Sequence, residues 1–484
     1  MKLKDLLPGL PETVGQTDIS GITCDSRKVG KGFAFVCIKG AAADGHAFAR
    51  AALDNGAAVI VAERDLGLAE QIVVSDTHKA YAEMCAAWFG RPADSLRLIG
   101  VTGTNGKTTV SYLCKAILER SGYKVGLIGT IQNMIGDETL PAKNTTPSAY
   151  ELHSLFSLMK SAGCQFVVME VSSHALDQQR VGGLHFETAL FTNLTQDHLD
   201  YHITMDNYKS AKRKLFEMCD TAVINYDDPH GADMVAGLPC KVITYSAQSD
   251  EATYTAKGIT YRPDGVDFQF VGFDVISRVR LKTAGRFSVY NALCAGACAV
   301  SLGIPIHTVT EALSEVSGVK GRAEVVPTGR DFTVIIDYAH TPDGLENILK
   351  TFKDVPKNRL IALFGCGGDR DRTKRPKMGK IAAQLADYCI VTSDNPRSEN
   401  PSLIIQDILA GMEDEKTPYT VVENRVEAIK YAVANARTGD IIVLAGKGHE
   451  TYQILGTGTI HLDEREVVAA ALRERAEKEK ALQQ

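Results

Sequence analysis

The stretch LRLIGVTGTNGKTTVSYLCKAILERSGYKVGLIGT, residues 96–130, contains two apolar runs separated by a glycine-rich loop and a helical pattern. This order predicts a strand, a loop, a helix and a second strand, which form a βαβ unit of a parallel sheet. In such a unit the loop leads into a helix N-terminus, where backbone N–H groups can surround phosphate oxygens. The stretch therefore predicts an α/β fold with a phosphate-binding loop (P-loop).

The loop itself, GVTGTNGKTT from Gly100 to Thr109, carries the side chains that a nucleotide needs. Lys107 can reach the β and γ phosphates, and Thr108 can offer a hydroxyl to Mg²⁺. Gly100 lies one residue too far back for the strict Walker pattern. A glycine-rich turn without a ligand is the alternative, and the strand-loop-helix context argues against it.

Apolar runs on both sides of this unit extend the α/β pattern into three predicted domains. Residues 1–93 mix short strand-like runs with turns and end at the break GRPADSL, which predicts a small N-terminal α/β domain. Residues 94–324 are the predicted central P-loop ATPase domain, whose mainly parallel sheet includes CQFVVMEV and TALFTN. Residues 325–484 alternate strands with helical segments, which predicts a Rossmann-like C-terminal domain. Its charged end, DEREVVAAALRERAEKEKALQQ, predicts a solvated amphipathic helix without chemistry.

Length, charge and cysteine content narrow the class of protein. The 484 residues suffice for about three domains of ordinary size. A net charge of -6, from 53 basic and 59 acidic side chains, predicts no general attraction to nucleic acid or anionic membranes. The 11 cysteines show no paired spacing, which favours reduced thiols in a cytosolic protein. No apolar run reaches the roughly 18 residues of a membrane-spanning helix, and we expect a cytoplasmic protein.

The loop GTNGKTT at a strand end is also found in the Mur ligases and the related folylpolyglutamate synthases. The sequence resembles the Mur ligases over its whole length, and no single motif carries the resemblance. The further matching elements are DSR (Asp25–Arg27), NTTP (Asn144–Pro147), EVSSHALDQQR (Glu170–Arg180), TNLTQDHLDYH (Thr192–His202), YKSAK (Tyr208–Lys212), GR (Gly321–Arg322) and DYAHTP (Asp337–Pro342). Within the family, the combination of EVSSHAL, DHLDYH and GKGHE is similar to the members that add the third residue of the peptidoglycan peptide.

Further side chains indicate a metal site beside the P-loop. Glu170 ends an apolar strand, where a parallel sheet can hold a nucleotide-bound metal, and His198 follows the next strand. The resemblance implies that both bind Mg²⁺ together with Thr108, and that Lys212 is carbamylated to N6-carboxylysine as a further ligand. It also implies catalytic roles for Lys107, Lys212, Glu170 and His198.

Electrostatics supports a modified Lys212, because an ammonium repels Mg²⁺ and has no lone pair to offer. The residues alone leave simpler interpretations open. His198 could be a hydrogen-bonded loop histidine. Lys212 could belong to a solvated basic face with Lys209, Arg213 and Lys214.

The ATP site implied by the resemblance combines the P-loop with residues from later segments. The implied contacts are Gly103, Thr104, Asn105, Gly106, Lys107, Thr108, Thr109, Asn291, Arg322, Asp337 and His340. One position departs from the family, since Ser288 in GRFSVYNAL stands where asparagine is frequent. This departure removes the support for a contact from that side chain.

The first domain is expected to bind the uridine diphosphate end of a sugar-peptide precursor. The resemblance implies contacts there from Cys24, Ser26, Ala41, Ala42 and Ala43. A second implied group holds the phosphates and peptide, and it consists of Asn144, Thr145, Thr146, Ser172, Gln178 and Arg180. His-Gln-Ala is frequent in the family where this sequence has Ala-Ala-Ala, so contacts there must come from the backbone. Arg180 taken alone could equally form a surface salt bridge.

Three apolar strands of the last domain each end in a polar loop: RLIALF precedes GCGGDRD, YCIVTS precedes DNPRSEN, and DIIVLA precedes GKGHE. Ligands of an open parallel sheet collect outside the carboxyl ends of its strands, so we expect one crevice there. Its predicted lining is Arg370, Asp394, Asn395, Pro396, Arg397, Gly446 and Glu450. Two guanidiniums and two carboxylates around a small pocket are complementary to an amino-acid zwitterion. The alternative for any one of them is a loop salt bridge.

Arg397, in TSDNPRSEN (Thr392–Asn400), is expected to select the amino acid. Lysine would bring only an ammonium to this arginine, whereas meso-diaminopimelate brings a second carboxylate. Sites built around a polar partner reject an analogue that lacks it by about 10⁴-fold or more. The resemblance agrees, because diaminopimelate-adding members carry Asp-Asn-Pro-Arg here and lysine-adding members have another residue in place of the arginine.

The resemblance implies an ATP-dependent amide ligase. ATP would phosphorylate the glutamate γ-carboxylate of UDP-N-acetylmuramoyl-L-alanyl-D-glutamate, and the amine of meso-diaminopimelate would attack the acyl phosphate. The implied cofactor is Mg²⁺, and the implied partners are small molecules, without nucleic acid or membrane insertion. We expect a monomer whose domains close on the substrates. Three alternatives stay open: the same ligation with L-lysine, a folylpolyglutamate-type ligase, and a non-catalytic nucleotide-binding regulator.

Overall fold

The computed structural model describes residues 1–40, 43–262, 265–273, 275–353 and 355–483. The chain divides into two compact units, Met1–Thr244 and Tyr245–Gln484. The predicted α/β class with mainly parallel sheets is confirmed, whereas the three domain boundaries stay a prediction. No helix of the described residues is long and apolar enough to cross a membrane.

The N-terminal part of the first unit contains a small parallel sheet. Its strands are β1 (Gly21–Thr23), β2 (Phe33–Val36), β3 (Val59–Ala62) and β4 (Gln71–Val73), paired in this order. The helices are α1 (Leu3–Leu6), α2 (Glu12–Gly15), α3 (Ala49–Asp54) and α4 (Thr77–Trp88), with 3-10 turns at Ser26–Lys28, Gly45–Phe48 and Pro92–Ser95. The adjacent parallel strands β1 and β2 end at the same edge of the sheet. The loops that follow them carry the predicted precursor contacts of this region.

The P-loop lies in a βαβ unit, as predicted. Strand β5 (Arg97–Thr102) leads into α5 (Lys107–Arg120), and β6 (Val125–Ile128) follows. Gly106 is the N-cap of α5 with a φ of 89°, a left-handed conformation that glycine adopts without strain. The helix buries one apolar face, because its apolar residues recur at the helical spacing of three and four. The buried apolar positions are Val110, Leu113, Cys114, Ile117 and Leu118.

The remaining elements of the first unit extend this sheet on both sides. The strands are β7 (Gln132–Ile135), β8 (Glu138–Pro141), β9 (Phe166–Glu170), β10 (Phe186–Phe191) and β11 (Cys219–Asn225). The helices are α6 (Ala149–Ser161), α7 (Ser173–Asp177), α8 (Leu199–His202), α9 (Met205–Arg213) and α10 (Gly231–Val235), with a 3-10 turn at Phe216–Met218. The strand order is β11-β10-β5-β9-β6-β7-β8, in which only β7 and β8 run antiparallel to their neighbours. The carboxyl ends of β10, β5 and β9 are therefore adjacent.

The boundary between the two units falls within β12 (Lys241–Ser246). The second unit continues with the antiparallel strands β13 (Tyr254–Arg262), β14 (Gly265–Gly272) and β15 (Val275–Leu281). Two helices follow, α11 (Arg286–Ser301) and α12 (Ile306–Glu315). α11 packs against β13 and β14, and its run of alanines and cysteines is buried because small side chains allow close packing.

The second unit also contains a Rossmann-like sheet. Its strands are β16 (Glu324–Val326), β17 (Thr333–Asp337), β18 (Leu360–Phe364), β19 (Tyr388–Val391), β20 (Tyr419–Val421) and β21 (Ile441–Ala445), followed by the hairpin β22 (Tyr452–Leu455) and β23 (Gly458–His461). The helices are α13 (Pro342–Lys353), α14 (Lys374–Leu385), α15 (Pro401–Leu409), α16 (Arg425–Ala434) and α17 (Glu464–Gln483). The order is β16-β17-β21-β18-β19-β20, parallel except for β16. The carboxyl ends of β21, β18 and β19 are thus neighbours.

The first turn of α17 differs from the solvated helix that its charges predict. Glu464 is fully buried and accepts a hydrogen bond from the buried Arg425 guanidinium (2.8 Å). Val468 and Ala471 pack into the core of the same unit. Amphipathic periodicity indicates the apolar face of the helix. It cannot place a glutamate on that face, because the arginine that neutralises it is distant in sequence.

Candidate active site

The P-loop between β5 and α5 is held in shape by the segment that follows β10. The Thr104 N–H donates to the Asn193 carbonyl (2.9 Å), and the Asn105 N–H donates to the Asn193 side chain (2.9 Å). A Cβ added at Gly103, whose φ is 146°, would lie 1.9 Å from the Thr192 hydroxyl oxygen. The first loop glycine is therefore required by packing as well as by any ligand.

The helix after the loop presents its N-terminus to the site. Lys107, Thr108 and Thr109 form the first turn of α5, and the N–H groups of a first turn have no intrahelical acceptors. The helix dipole adds partial positive charge at this end. The Lys107 ammonium folds back onto the carbonyls of Gly103 (2.8 Å) and Thr104 (2.9 Å). The P-loop, Lys107 and the N-terminus of α5 thus place several hydrogen-bond donors where the sequence predicts the phosphate groups of a nucleotide.

Glu170, the last residue of β9, is a fully buried carboxylate. Its Oε1 accepts from the Thr130 N–H (2.8 Å), and its Oε2 accepts from the hydroxyls of Thr108 (3.0 Å) and Thr130 (2.9 Å). Gly129 permits this approach, because a Cβ there would lie 2.5 Å from Glu170 Oε1. Thr130 was not among the predicted site residues. It follows β6 at the same sheet edge, so the strand-end rule that selects Glu170 could have found it.

The Thr130 hydroxyl is expected to matter for turnover. In Thr130→Val the backbone hydrogen bond to Glu170 remains, but the hydroxyl bond to this carboxylate is lost. A hydrogen bond to a charged group contributes about 1.5–3 kcal/mol. We therefore expect kcat/KM for ATP to fall about 10- to 100-fold, together with a lower free energy of unfolding.

Steady-state kinetics at several Mg²⁺ concentrations, with thermal unfolding of the same samples, measures this effect. Thr139→Val on the exposed strand β8 is the matched control and should behave like the parent protein. Equal kinetics for the two variants would contradict the assigned role of Thr130.

Lys212 lies on the buried face of α9, with 1% of its surface exposed. Its amine donates to the Gly103 carbonyl (2.8 Å), the same oxygen that accepts from Lys107 (2.8 Å). Burial, and after it the charge of Lys107, lower the pKa of Lys212 well below its ordinary value. Addition to carbon dioxide needs the lone pair of a neutral amine, and the lowered pKa favours that form.

The alternative interpretation of Lys212, as part of a solvated basic face, is wrong because this side chain is buried. The interpretation is correct for Lys209 and Lys214. Lys209 pairs with Asp233 (2.9 Å), and Lys214 pairs with Asp177 (3.0 Å). These side chains are partly exposed, whereas Lys212 points to the P-loop. The three lysines of this segment therefore differ in environment although they are alike in sequence.

His198 precedes α8 with a left-handed φ of 53°. Its ring lies 4.9 Å from that of His174 and 6.0 Å from that of Tyr208, measured between centroids. Partial burial lowers the pKa of His198, and Asp197, whose carboxylate lies 3.5 Å away, opposes this shift. Among the described residues, no three His, Cys, Asp or Glu side chains form a ready metal cluster. A metal here would take further ligands from a nucleotide, from water or from a modified side chain.

Four of the six predicted precursor contacts of the central region form one hydrogen-bonded network, namely Thr146, Ser172, Gln178 and Arg180. Thr146 is buried, and its hydroxyl accepts from the Ser172 N–H (3.0 Å). The Arg180 guanidinium donates to the Thr146 carbonyl (3.0 Å) and to Gln178 Oε1 (2.6 Å). The described hydrogen bonds of Arg180 thus go to a backbone carbonyl and a side-chain amide, whereas a surface salt bridge would join it to a carboxylate. Asn144 is exposed at the start of this loop, and the Thr145 hydroxyl lies 3.1 Å from that of Thr130.

Three of the contacts predicted in the first 93 residues, Cys24, Ser26 and Ala43, lie at one edge of the small sheet. Cys24 and Ser26 follow β1, and Cys24 is exposed. Ala43 lies in the loop after β2, where its carbonyl accepts from the Gly40 N–H (2.9 Å). Ala41 and Ala42 lie outside the described residues.

The nucleotide contacts predicted in the second unit fall into two places. Asp337 ends β17, and its carboxylate accepts from the N–H groups of Ala323 (2.7 Å) and Ala339 (2.8 Å). The Arg322 guanidinium stacks over the Tyr338 ring, and the His340 ring nitrogen lies 2.8 Å from the Tyr338 carbonyl. The second place is α11, where Asn291 is buried and the Ser288 hydroxyl donates to the Ala284 carbonyl (2.8 Å). The Ser288 hydroxyl therefore bonds to the residue before the N-cap of α11.

The amino-acid crevice brings three strand-end loops into contact. Asn395, after β19, donates to Glu450 Oε2 (3.0 Å) in the loop after β21. Arg397 donates to the Gly368 carbonyl (2.8 Å) in the loop after β18. A Cβ at Gly367 would lie 2.9 Å from the Arg397 guanidinium. The glycines of this loop thus make room for the DNPR segment.

The other predicted crevice residues border these contacts. Asp394 is buried, and a Cβ at Gly446 would lie 2.5 Å from its Oδ2, so glycine is required at that position. Pro396 is buried, whereas Arg370 is exposed and donates to the Asp369 carbonyl (2.9 Å). The side chains lie at one strand-end edge of the sheet, and the binding of a zwitterion there stays a prediction.

Two charged side chains of this region were missed by the sequence reasoning. Lys447 is fully buried beside Asn395 and Glu450. Arg375 is also fully buried, and it bonds Glu399 (2.8 Å) in the loop that follows DNPR. Lys447 stands inside the quoted GKGHE motif, so the signal was present. Nothing in the local pattern marks Arg375 as buried.

Comparison with known proteins covers almost the whole chain. Three family models match: "Mur ligase family, catalytic domain" over residues 18–88, "Mur ligase middle domain" over 101–299, and "Mur ligase, glutamate ligase domain" over 321–448. A relative from Caldanaerobacter subterraneus subsp. tengcongensis, named UDP-N-acetylmuramoyl-L-alanyl-D-glutamate--2,6-diaminopimelate ligase, is 49% identical and covers 98% of this chain and 99% of its own. A Clostridium perfringens protein with the same name is 48% identical, with coverage of 97% and 99%.

A solved structure is similar to this chain over almost its whole length. A structure titled UDP-N-acetylmuramoyl-L-alanyl-D-glutamate--2,6-diaminopimelate ligase superposes with a TM-score of 0.74 at 34% identity, over 98% of this chain and 99% of that chain. Sequence motifs, fold and strand-end geometry therefore lead to the same conclusion. The chain belongs to the Mur ligase family.

Proposed function

We propose that this protein is the ATP-dependent ligase that adds meso-2,6-diaminopimelate to UDP-N-acetylmuramoyl-L-alanyl-D-glutamate, a step of peptidoglycan precursor synthesis. The observation that carries the proposal is the crevice formed by three strand-end loops, in which Asn395 contacts Glu450 and Arg397 contacts the Gly368 carbonyl. The described hydrogen bonds of the Arg397 guanidinium go to carbonyl oxygens of Gly368 and Asn395. Its charge is thus available to a ligand carboxylate, which arginine can bind in a bidentate manner.

The proposed reaction has two steps, a phosphoryl transfer and an amide formation. The γ-phosphoryl group of ATP passes to the glutamate γ-carboxylate, and ADP leaves. The amine of diaminopimelate then attacks the acyl phosphate, an amide bond forms, and phosphate and a proton are released. Lys107 and the first turn of α5 stabilise the negative charge of the transferring phosphoryl group. Gly103–Gly106 would hold the phosphate chain, with Asn291, Arg322, Asp337 and His340 as further nucleotide contacts.

Mg²⁺ fits the residues at the end of β9. Hard cations bind carboxylate and hydroxyl oxygens, and the Glu170 carboxylate and Thr108 hydroxyl lie 3.0 Å apart. Glu170, Thr108, His198 and carbamylated Lys212 would hold the ion, which would supply charge neutralisation at the phosphates. Carbamylation joins the neutral Lys212 amine to the carbon of CO₂ and releases one proton, so a neutral side chain becomes an anion.

The remaining assignments complete the substrate sites. Cys24, Ser26 and the backbone around Ala43 would contact the uridine diphosphate end of the precursor. The network of Thr146, Ser172, Gln178 and Arg180, with Asn144 and Thr145, would hold its phosphates and peptide. All 11 cysteines are free thiols, which supports a reducing compartment. We place the enzyme in the cytoplasm and propose that it is a monomer.

Phosphate release with single omissions tests the proposed function. With ATP, Mg²⁺, the UDP-dipeptide precursor and meso-diaminopimelate, we expect turnover on the order of 1–10³ s⁻¹. Omission of any one component should lower this rate at least about 100-fold.

The omissions also separate the alternatives. Undiminished ATP hydrolysis without the precursor would reject the ligase, and no phosphate release under any condition would favour a nucleotide-binding regulator. Phosphate release that requires a folate and glutamate instead would favour the folylpolyglutamate-type reaction.

A further inference from the structure

A buried ammonium lies behind the amino-acid crevice. Lys447 follows β21, and none of its surface is exposed. Its Nζ donates to Asn395 Oδ1 (2.9 Å) and to Glu450 Oε2 (2.7 Å). Lysine is almost never fully buried unless it is paired, and both partners of this one belong to the proposed substrate site. The side chain therefore joins two crevice loops from their inner side.

The hydrogen bonds fix which way the Asn395 amide faces. Its Oδ1 accepts from Lys447 and from the Ile454 N–H (2.9 Å). Its Nδ2 donates to Glu450 Oε2 (3.0 Å). Because an ammonium offers only donors, a flipped amide would place donor against donor at Lys447. Lys447 and the Ile454 N–H thus set the orientation of Asn395 together.

The same ammonium determines which Glu450 oxygen remains for a ligand. Both described hydrogen bonds of the Glu450 side chain end on Oε2, one from Lys447 and one from Asn395. Oε1 is then the oxygen that can accept from a ligand cation. The Lys447 charge also offsets the Glu450 carboxylate, which otherwise would repel the carboxylates of a zwitterion next to buried Asp394.

We propose that Lys447 is a positioning residue for the amino-acid substrate: it clamps Asn395 and Glu450 so that Glu450 Oε1 faces the substrate ammonium. The inference rests on the proposed function, because that function supplies the substrate. Lys447 has no exposed surface, so it acts through its two partners and does not touch the ligand. Loss of such a supporting partner typically lowers affinity about 10- to 100-fold, as it does behind metal ligands.

Lys447→Met tests the proposal, because methionine retains the length of the apolar stem and removes the charge. We expect KM for meso-diaminopimelate to rise about 10- to 100-fold. KM for ATP and for the UDP-dipeptide, and kcat at saturating amino acid, should change less than about threefold. Lys430→Met is the matched control, since Lys430 pairs with Glu474 (2.8 Å) on the partly exposed side of α16. It should match the parent protein.

A double-mutant cycle with Glu450→Gln separates positioning from general stability. If Lys447 acts through Glu450, the double variant Lys447→Met, Glu450→Gln should have the KM for diaminopimelate of Glu450→Gln alone, within about threefold. This comparison also holds if the single Lys447 variant fails to fold, because the double variant leaves no unpaired charge. A further tenfold rise in the double variant, or equal rises in all three KM values, would overturn the proposal.

The parent protein and Lys430→Met report on the proposed function in the same assay. If neither turns over with diaminopimelate, the function and the inference both fail. If both are active and Lys447→Met has an unchanged KM for diaminopimelate, only the inference fails.

Discussion

Replacement of Lys212 by alanine is expected to lower turnover by about 10²- to 10³-fold, the range seen when one charge-stabilising group is removed from a transition state. The buried amine lies on the Gly103 carbonyl beside Lys107, and its pKa is lowered. The lowered pKa favours the neutral amine, which is the form that attacks carbon dioxide. Alanine can form no carbamate, so the site would lose an anion that the proposed Mg²⁺ binding uses.

Short carboxylic acids should restore part of the Lys212→Ala activity, because they can bring a carboxylate into the space that the side chain leaves. Lys214→Ala is the matched control, since Lys214 pairs with Asp177 on the partly exposed face of the same segment. Turnover of both variants, with and without added acid, measures the effect. Full activity of Lys212→Ala, or no response to any carboxylic acid, would contradict the carbamate.

The lowered pKa also predicts a dependence of stability on pH. The unfolded chain binds a proton on Lys212 up to about 10.5, its ordinary value, whereas the native amine loses it at lower pH. Between the two pKa values the unfolded state binds more protons, so the free energy of unfolding rises with pH. In carbon-dioxide-free buffer, Lys212→Ala should reduce this slope and Lys214→Ala should not.

Replacement of Arg397 by alanine should affect the amino acid and neither of the other substrates. The guanidinium is the group proposed to bind the distal carboxylate of diaminopimelate. A site built around such a polar pair loses about 10⁴-fold in kcat/KM when one partner is missing. We expect kcat/KM for meso-diaminopimelate to fall about 10³- to 10⁴-fold. KM for ATP and for the UDP-dipeptide should stay within about threefold.

Removal of the Arg397 charge should also reduce the discrimination against L-lysine, because the like charge that repels its ammonium is gone. Arg330→Ala is the matched control: Arg330 precedes β17, at the sheet edge opposite the crevice, and pairs with Glu479 (2.8 Å). Parallel rate assays with the two amino acids give the ratio directly. An unchanged preference for diaminopimelate in Arg397→Ala would remove the proposed role of this arginine.

Much of the fold could be predicted, because its signals are local. The apolar runs and glycine-rich loop of residues 96–130 indicate a βαβ unit, and the structure has it as β5, α5 and β6. The insertion of β9 between β5 and β6 is a pairing of distant segments, for which the pattern of residues 96–130 has no signal. The strand-end rule selected Glu170 and the crevice loops, since it depends only on where parallel strands stop.

The missed features depend on tertiary packing, which decides which charged side chains are buried. Lys447 and Arg375 look like ordinary loop and helix charges, and only the folded chain shows them buried against carboxylates. Lys212 is similar: three lysines stand within one short segment, and tertiary packing alone determines which of them is desolvated. Only the structure therefore shows that these charged side chains are buried. For Lys212, the family resemblance had already implied a special role.

The central claim is that Arg397 and its crevice select diaminopimelate. The most direct measurement supplies the protein with ATP, Mg²⁺, the UDP-dipeptide and equal concentrations of meso-diaminopimelate and L-lysine, and identifies the products by mass. We expect the diaminopimelate tripeptide in about 10³-fold excess or more. A comparable or larger yield of the lysine tripeptide would contradict the account, because it would leave the ligase without the specificity assigned to this crevice.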